Sequence, residues 1–227
     1  MLISIIIPAL NEEKKLGNLL QQLIQLDKTI PFEIIVVDGG SRDRTVAIAR
    51  EYATVYQVKQ ANRGAQLKFG AEKSNGDILW FLHSDSSLGN QPNILSYIQR
   101  VLTNKKYSAG FLKLSFDSSA FFYRYLAKTS TLRARYLGLI FGDQGLFTTR
   151  ENYEKAGGFE DVPLMEDWRL SRKLRRVGNF YFLPLTITTS ARKFEKARIR
   201  THLRMHKIKI FYLLGMSPEK LAKRYYK

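Results

Sequence analysis

Cysteine is absent from the 227 residues. That excludes disulfides, thiolate metal sites and cysteine nucleophiles, and it is compatible with a reducing compartment without proving one. No Ser-His-Asp set, zinc-type histidine cluster or Walker-type phosphate loop is present either. Long hydrophobic runs are missing: no stretch approaches the ~18 uninterrupted apolar residues of a spanning helix. The opening Met-Leu-Ile-Ser-Ile-Ile-Ile-Pro has neither a basic leader nor a small-residue cleavage site. The expected location is the cytoplasm, with peripheral attachment to the inner face of the cell membrane left open. Acidic side chains are scarce, 20 Asp+Glu against 37 Lys+Arg, for a net charge of +17. A field of that size favours polyanions: nucleic acid, an acidic membrane face or phosphorylated substrates. Repeats, low-complexity runs and linkers are also lacking, so a single domain over residues 1–227 is the economical reading. With 44% hydrophobic and 25% charged residues, the chain has ample material for a core.

The first half alternates strand-like and helix-like segments. Residues 3–7 are a continuous β-branched run, followed by Pro8 and a polar turn. Residues 12–26 space Leu16, Leu19, Leu20, Leu23 and Ile24 with helical period. A second strand over 33–37 ends at Asp38-Gly39-Gly40-Ser41, and the helix after it is N-capped by Ser41 or Asp43. Residues 54–58 read as a strand, 63–73 as a helix, and 77–82 as a fourth strand. Uniformly apolar strands separated by amphipathic helices make a parallel sheet covered on both faces. Ligands of such sheets bind beyond the carboxyl ends of the strands. Asn11-Glu12, Asp38 and His83-Ser84-Asp85 each follow a strand, so all three should share one edge.

The second half is less regular. Residues 108–116 read as a strand and 120–139 as an aromatic-rich helix interrupted by Arg124, Lys128, Arg133 and Arg135. Gly142-Asp143-Gln144-Gly145 is a turn leading into Leu146-Phe147-Thr148, and Gly157-Gly158-Phe159 is another. Residues 166–177 form a basic helix with Gly178 as its stop.

Five pieces, in this order, resemble family 2 glycosyltransferases of the GT-A fold. They are residues 5–13 (IIIPALNEE), 36–45 (VVDGGSRDRT), Asn62-Arg63-Gly64, His83-Ser84-Asp85 and Glu166-Asp167. Each is weak alone; together they cover most of the chain. The GDQG turn, Gly157-Gly158-Phe159, Leu164-Met165-Glu166-Asp167 and Ser190-Ala191-Arg192 are similar to a subgroup of small bacterial enzymes. Some relatives there act on lipid or carotenoid acceptors.

The resemblance implies an α/β, Rossmann-like, mostly parallel central sheet flanked by helices, with a helical C-terminal extension. It implies a nucleotide-sugar-binding half (1–115), an acceptor and catalytic half (116–194) and basic amphipathic helices (195–227). The activity it implies is inverting transfer from a nucleotide-diphosphate sugar, UDP-linked by expectation, to an acceptor hydroxyl.

By the same resemblance Pro8, Ala9, Asn11, Glu12 and Ser84 line the nucleotide cleft, Asp38 accepts a hydrogen bond from the base or ribose, and Arg63 lies near the base and diphosphate. A turn or cap role for Asp38 and a surface role for Arg63 are the competing readings. Asp85 is the ligand implied for Mn²⁺ or Mg²⁺, hard ions that take oxygen donors and fill their shells from water and phosphates. His83 stands where these turns usually carry a first Asp. It contacts the nucleotide, ligates the metal, or is an ordinary turn histidine; spacing leaves all three open. Asp167 resembles the general base, with Glu166 beside it, while a helix-dipole role competes. Asp143 and Gln144 are assigned to the sugar or acceptor, and Arg192 to the neighbourhood of the diphosphate.

Two segments, 120–141 and 197–214, interleave cations with aromatic and aliphatic residues. Such helices can lie in an anionic membrane interface, which suits a lipid-linked or apolar acceptor. Core packing with a solvated cationic face competes with this reading. A nucleotide-binding pseudoenzyme is the first alternative function. A basic nucleic-acid-binding domain is the weaker one, because no recognised module appears.

Overall fold

The computed structural model describes residues 1–59, 62–195 and 197–225. Its strands are β1 (Ile3–Ala9), β2 (Phe32–Asp38), β3 (Thr54–Gln57), β4 (Ile78–Phe81), β5 (Tyr107–Phe116), β6 (Phe147–Thr149) and β7 (Asn179–Thr189). They form one sheet in the order β3-β2-β1-β4-β6-β5-β7. β1 pairs in parallel with β2 and with β4, β2 with β3, and β5 with β7; only β6 runs antiparallel to its neighbours β4 and β5.

Every residue of β1 is buried, as expected of a central strand covered on both sides. Ile3, Ile5 and Ile7 pack with Leu16, Leu19, Leu20 and Leu23 of α1 (Leu16–Ile24) and with Ile94, Leu95 and Ile98 of α4 (Ile94–Thr103). In the intervening position, Ile6 faces the opposite layer. There it meets Leu67 and Ala71 of α3 (Arg63–Lys73) in a cluster that includes Leu170 and Leu174 of α7 (Glu166–Val177). The alternation is the two-residue period of a strand translated into two cores.

The anticipated strands and helices of the first half are present, with ends shifted by a few residues. α2 (Thr45–Arg50) has Arg44 at its N-cap position and no side-chain cap, so neither Ser41 nor Asp43 caps it as expected; the Thr45 N–H bonds to Asp43 Oδ1 at 3.0 Å from one residue earlier, and Ser41 is engaged with Asp38. α5 (Phe121–Leu137) stops at Gly138, which adopts a left-handed conformation with φ 62°. α4, α6 (Arg150–Lys155) and β7 were not expected from sequence pattern. β7 is an edge strand that is only patchily buried, so its hydrophobic period is weak. Pro184 lies in it, where the register against β5 slips between Leu112 and Lys113. Proline is tolerated at such a slip because it has no N–H to give a ladder.

After β7 come α8 (Arg192–Glu195), α9 (Arg198–Leu213) and α10 (Pro218–Tyr225). Ile208 of α9 and Leu221 and Ala222 of α10 pack on Met165 and Trp168, so the C-terminal helices brace the start of α7. Among the described residues no helix is long and apolar enough to cross a membrane.

Candidate active site

Strand direction brings distant residues to one sheet edge. β1, β2 and β4 are parallel and deliver their following loops there. Because β6 is antiparallel to β4, pairing Trp80 with Phe147, the turn preceding β6 meets the end of β4. β7 runs with β5, itself antiparallel to β6, so the chain leaving Thr189 emerges at the same edge. Residues 11–12, 38, 83–85, 142–144 and 190–193 therefore surround one cleft, and the start of α7 closes it.

The first two loops are laced together. The Asn11 N–H donates to Ser41 Oγ at 2.8 Å, the Arg42 N–H to Asn11 Oδ1 at 2.9 Å, and the Glu12 N–H to Thr45 Oγ1 at 2.7 Å. Asn11 holds φ 54°, a left-handed conformation that Asn tolerates better than most residues. Pro8 and Ala9 are buried, and Gln66 Nε2 donates to the Ala9 and Val37 carbonyls at 3.1 and 2.8 Å, locking the ends of β1 and β2. Asp38 is fully buried. Its Oδ2 accepts from the Gly40 and Ser41 N–H groups at 3.0 Å each, and its Oδ1 accepts from the Ser41 hydroxyl. The carboxylate is turned into its own loop.

Arg192 joins the β1 and β4 loops. Its guanidinium pairs with Glu12 Oε1 and stands 3.7 Å from Asp85 Oδ2. Partial burial raises the Asp85 pKa above the ordinary carboxylate value, and Arg192 opposes that rise. Among the described residues no group of three or more His, Cys, Asp or Glu side chains is arranged to hold a metal. A single carboxylate still fits a divalent cation whose other ligands are diphosphate oxygens and water. Ser84 is buried in the same turn.

Asp167 and Glu166 occupy the first turn of α7, both buried. Met165 precedes them at φ 68°, a strained conformation for a non-glycine residue that swings the helix start into the cleft. Arg63, at the N-terminus of α3, pairs with Glu166 Oε1 and lies 3.9 Å from Asp167 Oδ2. Gly64 permits this approach: a Cβ there would fall 2.4 Å from the Glu160 carbonyl and 2.8 Å from that of Val162. The Asp167 pKa is pushed up to about 7, first by burial and then by the neighbouring Glu166, against Arg63 and the Gly142 N–H.

His83 completes this corner. A Cβ on Gly142 would meet His83 Nε2 at 2.2 Å and Asp167 Oδ2 at 3.0 Å, so both groups crowd the same point on the turn before β6. His83 Nε2 has no hydrogen-bond partner among the described residues. Burial, with Arg63 and Lys193, holds the imidazole pKa well below its ordinary value and so neutral.

The pair assigned to sugar or acceptor divides. Gln144 is fully buried and its Oε1 accepts from Arg133 at 3.1 Å, which makes it a brace of its own 3₁₀ turn (Gly142–Gln144). Asp143 remains beside the cleft with Oδ1 unpartnered. Burial raises its pKa against the pull of Arg133, Lys193, Lys209 and Arg63. Sequence reasoning passed over Arg133 and Lys193 as site residues and read Lys209 as part of a membrane-facing stripe. Their only sequence signal is position: Lys193 adjoins Arg192.

Residues 4–152 match the family described as Glycosyl transferase family 2, well over half of the chain. The chain belongs to that family. It is 42% identical over 105 residues to 4,4'-diaponeurosporenoate glycosyltransferase of Staphylococcus haemolyticus, covering 43% of this chain and 28% of that one. It is 27% identical over 166 residues to a dolichyl-phosphate beta-glucosyltransferase of Trichomonas vaginalis, covering 65% and 51%. The chain thus spans only between about a quarter and a half of the length of these curated relatives. Among solved structures, the mannosyltransferase PcManGT from Pyrobaculum calidifontis in complex with GDP-Man and Mn²⁺ superposes with TM-score 0.70 at 18% identity, covering 99% of this chain and 68% of that one. S. aureus TarS in complex with UDP gives 0.68 at 19%, covering 84% and 61%. At such identities the likeness establishes the fold, and the GT-A architecture expected from the motifs is the one observed.

Proposed function

We propose that this family 2 chain catalyses inverting glycosyl transfer from a nucleotide-diphosphate sugar, UDP-linked, to the hydroxyl of an apolar or lipid-linked acceptor. The observation that carries the reading is Asp167: a buried carboxylate brought to about pH 7, tied to the turn before β6. A general base works best with a pKa near the operating pH. Asp167 takes the acceptor hydroxyl proton as that oxygen attacks the anomeric carbon. The bond from that carbon to the diphosphate breaks on the opposite side, and the nucleoside diphosphate departs with the electron pair. Glu166, paired with Arg63, keeps negative charge beside Asp167 and so maintains its basicity.

Pro8, Ala9, Asn11, Glu12 and Ser84 are the rim assigned to the nucleotide, with Asp38 shaping the β2 turn of that rim and Arg63 at its margin. Asp85 is the residue that would hold Mn²⁺ or Mg²⁺, which when bound neutralises charge gathering on the leaving diphosphate. Arg192 contributes a permanent positive charge at the same place. We assign neutral His83 to contact with the transferring sugar, since its free nitrogen faces Gly142. Support for the donor class comes from neighbours solved with UDP and with GDP-Man. Support for an apolar acceptor comes from relatives named for diaponeurosporenoate and dolichyl phosphate, and from α9. There Ile199, Leu203, Ile210 and Leu213 are exposed among Arg198, Arg200, Arg204 and Lys207.

A thermal-shift panel of UDP- and GDP-sugars, with and without Mn²⁺, tests the donor assignment. A ligand at 100 times its dissociation constant stabilises by about 2.7 kcal/mol. Stabilisation by UDP-sugars with Mn²⁺ is expected. Silence across the panel would overturn the reading.

A further inference from the structure

α9 carries basic residues around most of its surface, and most of them face solvent; Lys209 does not. Half-buried, its Nζ stands 5.0 Å from the centroid of the Phe141 ring, immediately before the Asp143 turn. Lys193, from α8, approaches the same turn with its Nζ 4.7 Å from the ring of Tyr225. Aromatic faces of this kind orient an ammonium while leaving its charge intact. Neither lysine makes a hydrogen bond or ion pair among the described residues. Arg133 lies behind them, 4.0 Å from the Phe141 ring, with its donors already on the Leu139 carbonyl, Ser130 and Gln144. Those bonds fix the guanidinium in place, so it adds a held positive charge to the corner.

Three cations thus converge where the nearby carboxylate is Asp143, itself unpartnered at Oδ1. The crowding is felt by Lys209, whose pKa is pulled down to about 8 by burial, Arg133 and Lys193, against the pull of Asp143. A cluster with surplus positive charge, in which Lys209 is half-buried and Lys193 stays exposed, and in which neither ammonium group is paired among the described residues, is complementary to an oxyanion.

We propose that Lys193 and Lys209, backed by Arg133, form an anion-binding subsite for a phosphate or carboxylate group carried by the acceptor. The proposal deepens the transfer reading and rests on it. The donor diphosphate is assigned to the other flank, beside Asp85 and Arg192. The lysine pair acts on the Asp143 turn, which Gly142 joins to Asp167, and the charge of Lys193 is also felt at His83. An acidic group bound there would hold the acceptor with its hydroxyl toward the base, and its apolar part would run out along α9.

The test measures binding of the 227-residue chain to inorganic phosphate, dodecyl phosphate, dodecanoate and dodecanol below their aggregation limits, and separately to UDP with Mn²⁺. Wild type is compared with Lys193→Met, Lys209→Met, the double variant, and Lys209→Arg, each checked for an intact thermal transition. Wild type should bind the two acidic amphiphiles at least about tenfold tighter than dodecanol, and the double variant should lose that preference. Lys209→Arg should retain most of it, and UDP affinity should change less than about twofold in all variants. Loss of UDP affinity with acidic-amphiphile binding unchanged would assign the lysines to the donor diphosphate and overturn the proposal. So would equal binding of the acidic and neutral probes, or a preference that survives in the double variant. If UDP-sugars bind wild type and the acidic probes do not, only this inference falls; if no nucleotide binds, the transfer reading falls with it.

Discussion

The backbone N–H of Gly142 donates to Asp167 Oδ2 at 2.9 Å, tying the turn before β6 to the first turn of α7. Twenty-five residues apart in the chain, the two groups meet because β6 is antiparallel to β4 and α7 starts at the same edge. A hydrogen bond to a carboxylate favours the charged form, yet the Asp167 pKa is raised to about 7, because burial and Glu166 outweigh it.

Gly142→Ala should therefore be damaging. The added methyl would sit 2.2 Å from His83 Nε2 and 3.0 Å from Asp167 Oδ2, so one or both must shift. The expected cost is about 1–3 kcal/mol in urea unfolding, with a fall in transfer rate from the displaced base. Adding His83→Ala should recover part of the stability, because the nearer obstruction is gone; a double-mutant cycle reads that coupling.

Transfer by wild type should rise with pH through about 7, where Asp167 loses its proton. Asp167→Asn should lower kcat by about 10²–10⁴-fold and flatten the profile, as measured by release of nucleoside diphosphate. Stability moves the other way. The folded-state value lies above the ordinary 3.8, so between about pH 4 and 7 the folded chain holds a proton that the unfolded chain has released. The favourable contribution is complete below the unfolded value and is lost as pH rises through the folded one. Asp167→Asn should then stabilise the chain at pH 8, by roughly 1–3 kcal/mol, and have little effect at pH 4.

Asp85→Asn should weaken UDP binding in Mn²⁺ by at least about tenfold and leave binding in EDTA nearly unchanged, by titration calorimetry. Equal loss in both conditions would make Asp85 a brace for Arg192 rather than a metal ligand.

Arg200 and Lys207 lie exposed on α9 among exposed aliphatics. Changing both to Glu should reduce flotation on anionic vesicles at low salt, since each basic residue near such a surface contributes about 1 kcal/mol. Unchanged flotation, or none by wild type, would remove the membrane from the proposed function.

Much of the arrangement of this sheet edge is legible in the sequence. The apolar runs in β1, β2 and β4 can only be central strands covered on both faces, and such strands turn their following polar residues to one edge. That logic grouped Asn11-Glu12, Asp38 and His83-Ser84-Asp85, and the order of the motifs added Glu166-Asp167. It could not say which way a side chain would turn. Asp38 closes on Gly40 and Ser41, and Gln144 disappears beneath Arg133. Each is a short-range contest between a loop and a cleft that depends on what else is near.

The sequence alone determined the α/β fold class and the shared strand edge, because these follow from local periodicity, while its resemblance to family 2 glycosyltransferases supplied the candidate carboxylates. Tertiary structure decided which groups touch: His83 against Gly142, Arg192 between Glu12 and Asp85, Lys209 over Phe141. Those partners lie about 60 to 180 positions apart in the chain, so chain reversal at β6 and docking of the C-terminal helices bring them together. Burial then sets their protonation, and no local pattern in the chain records it.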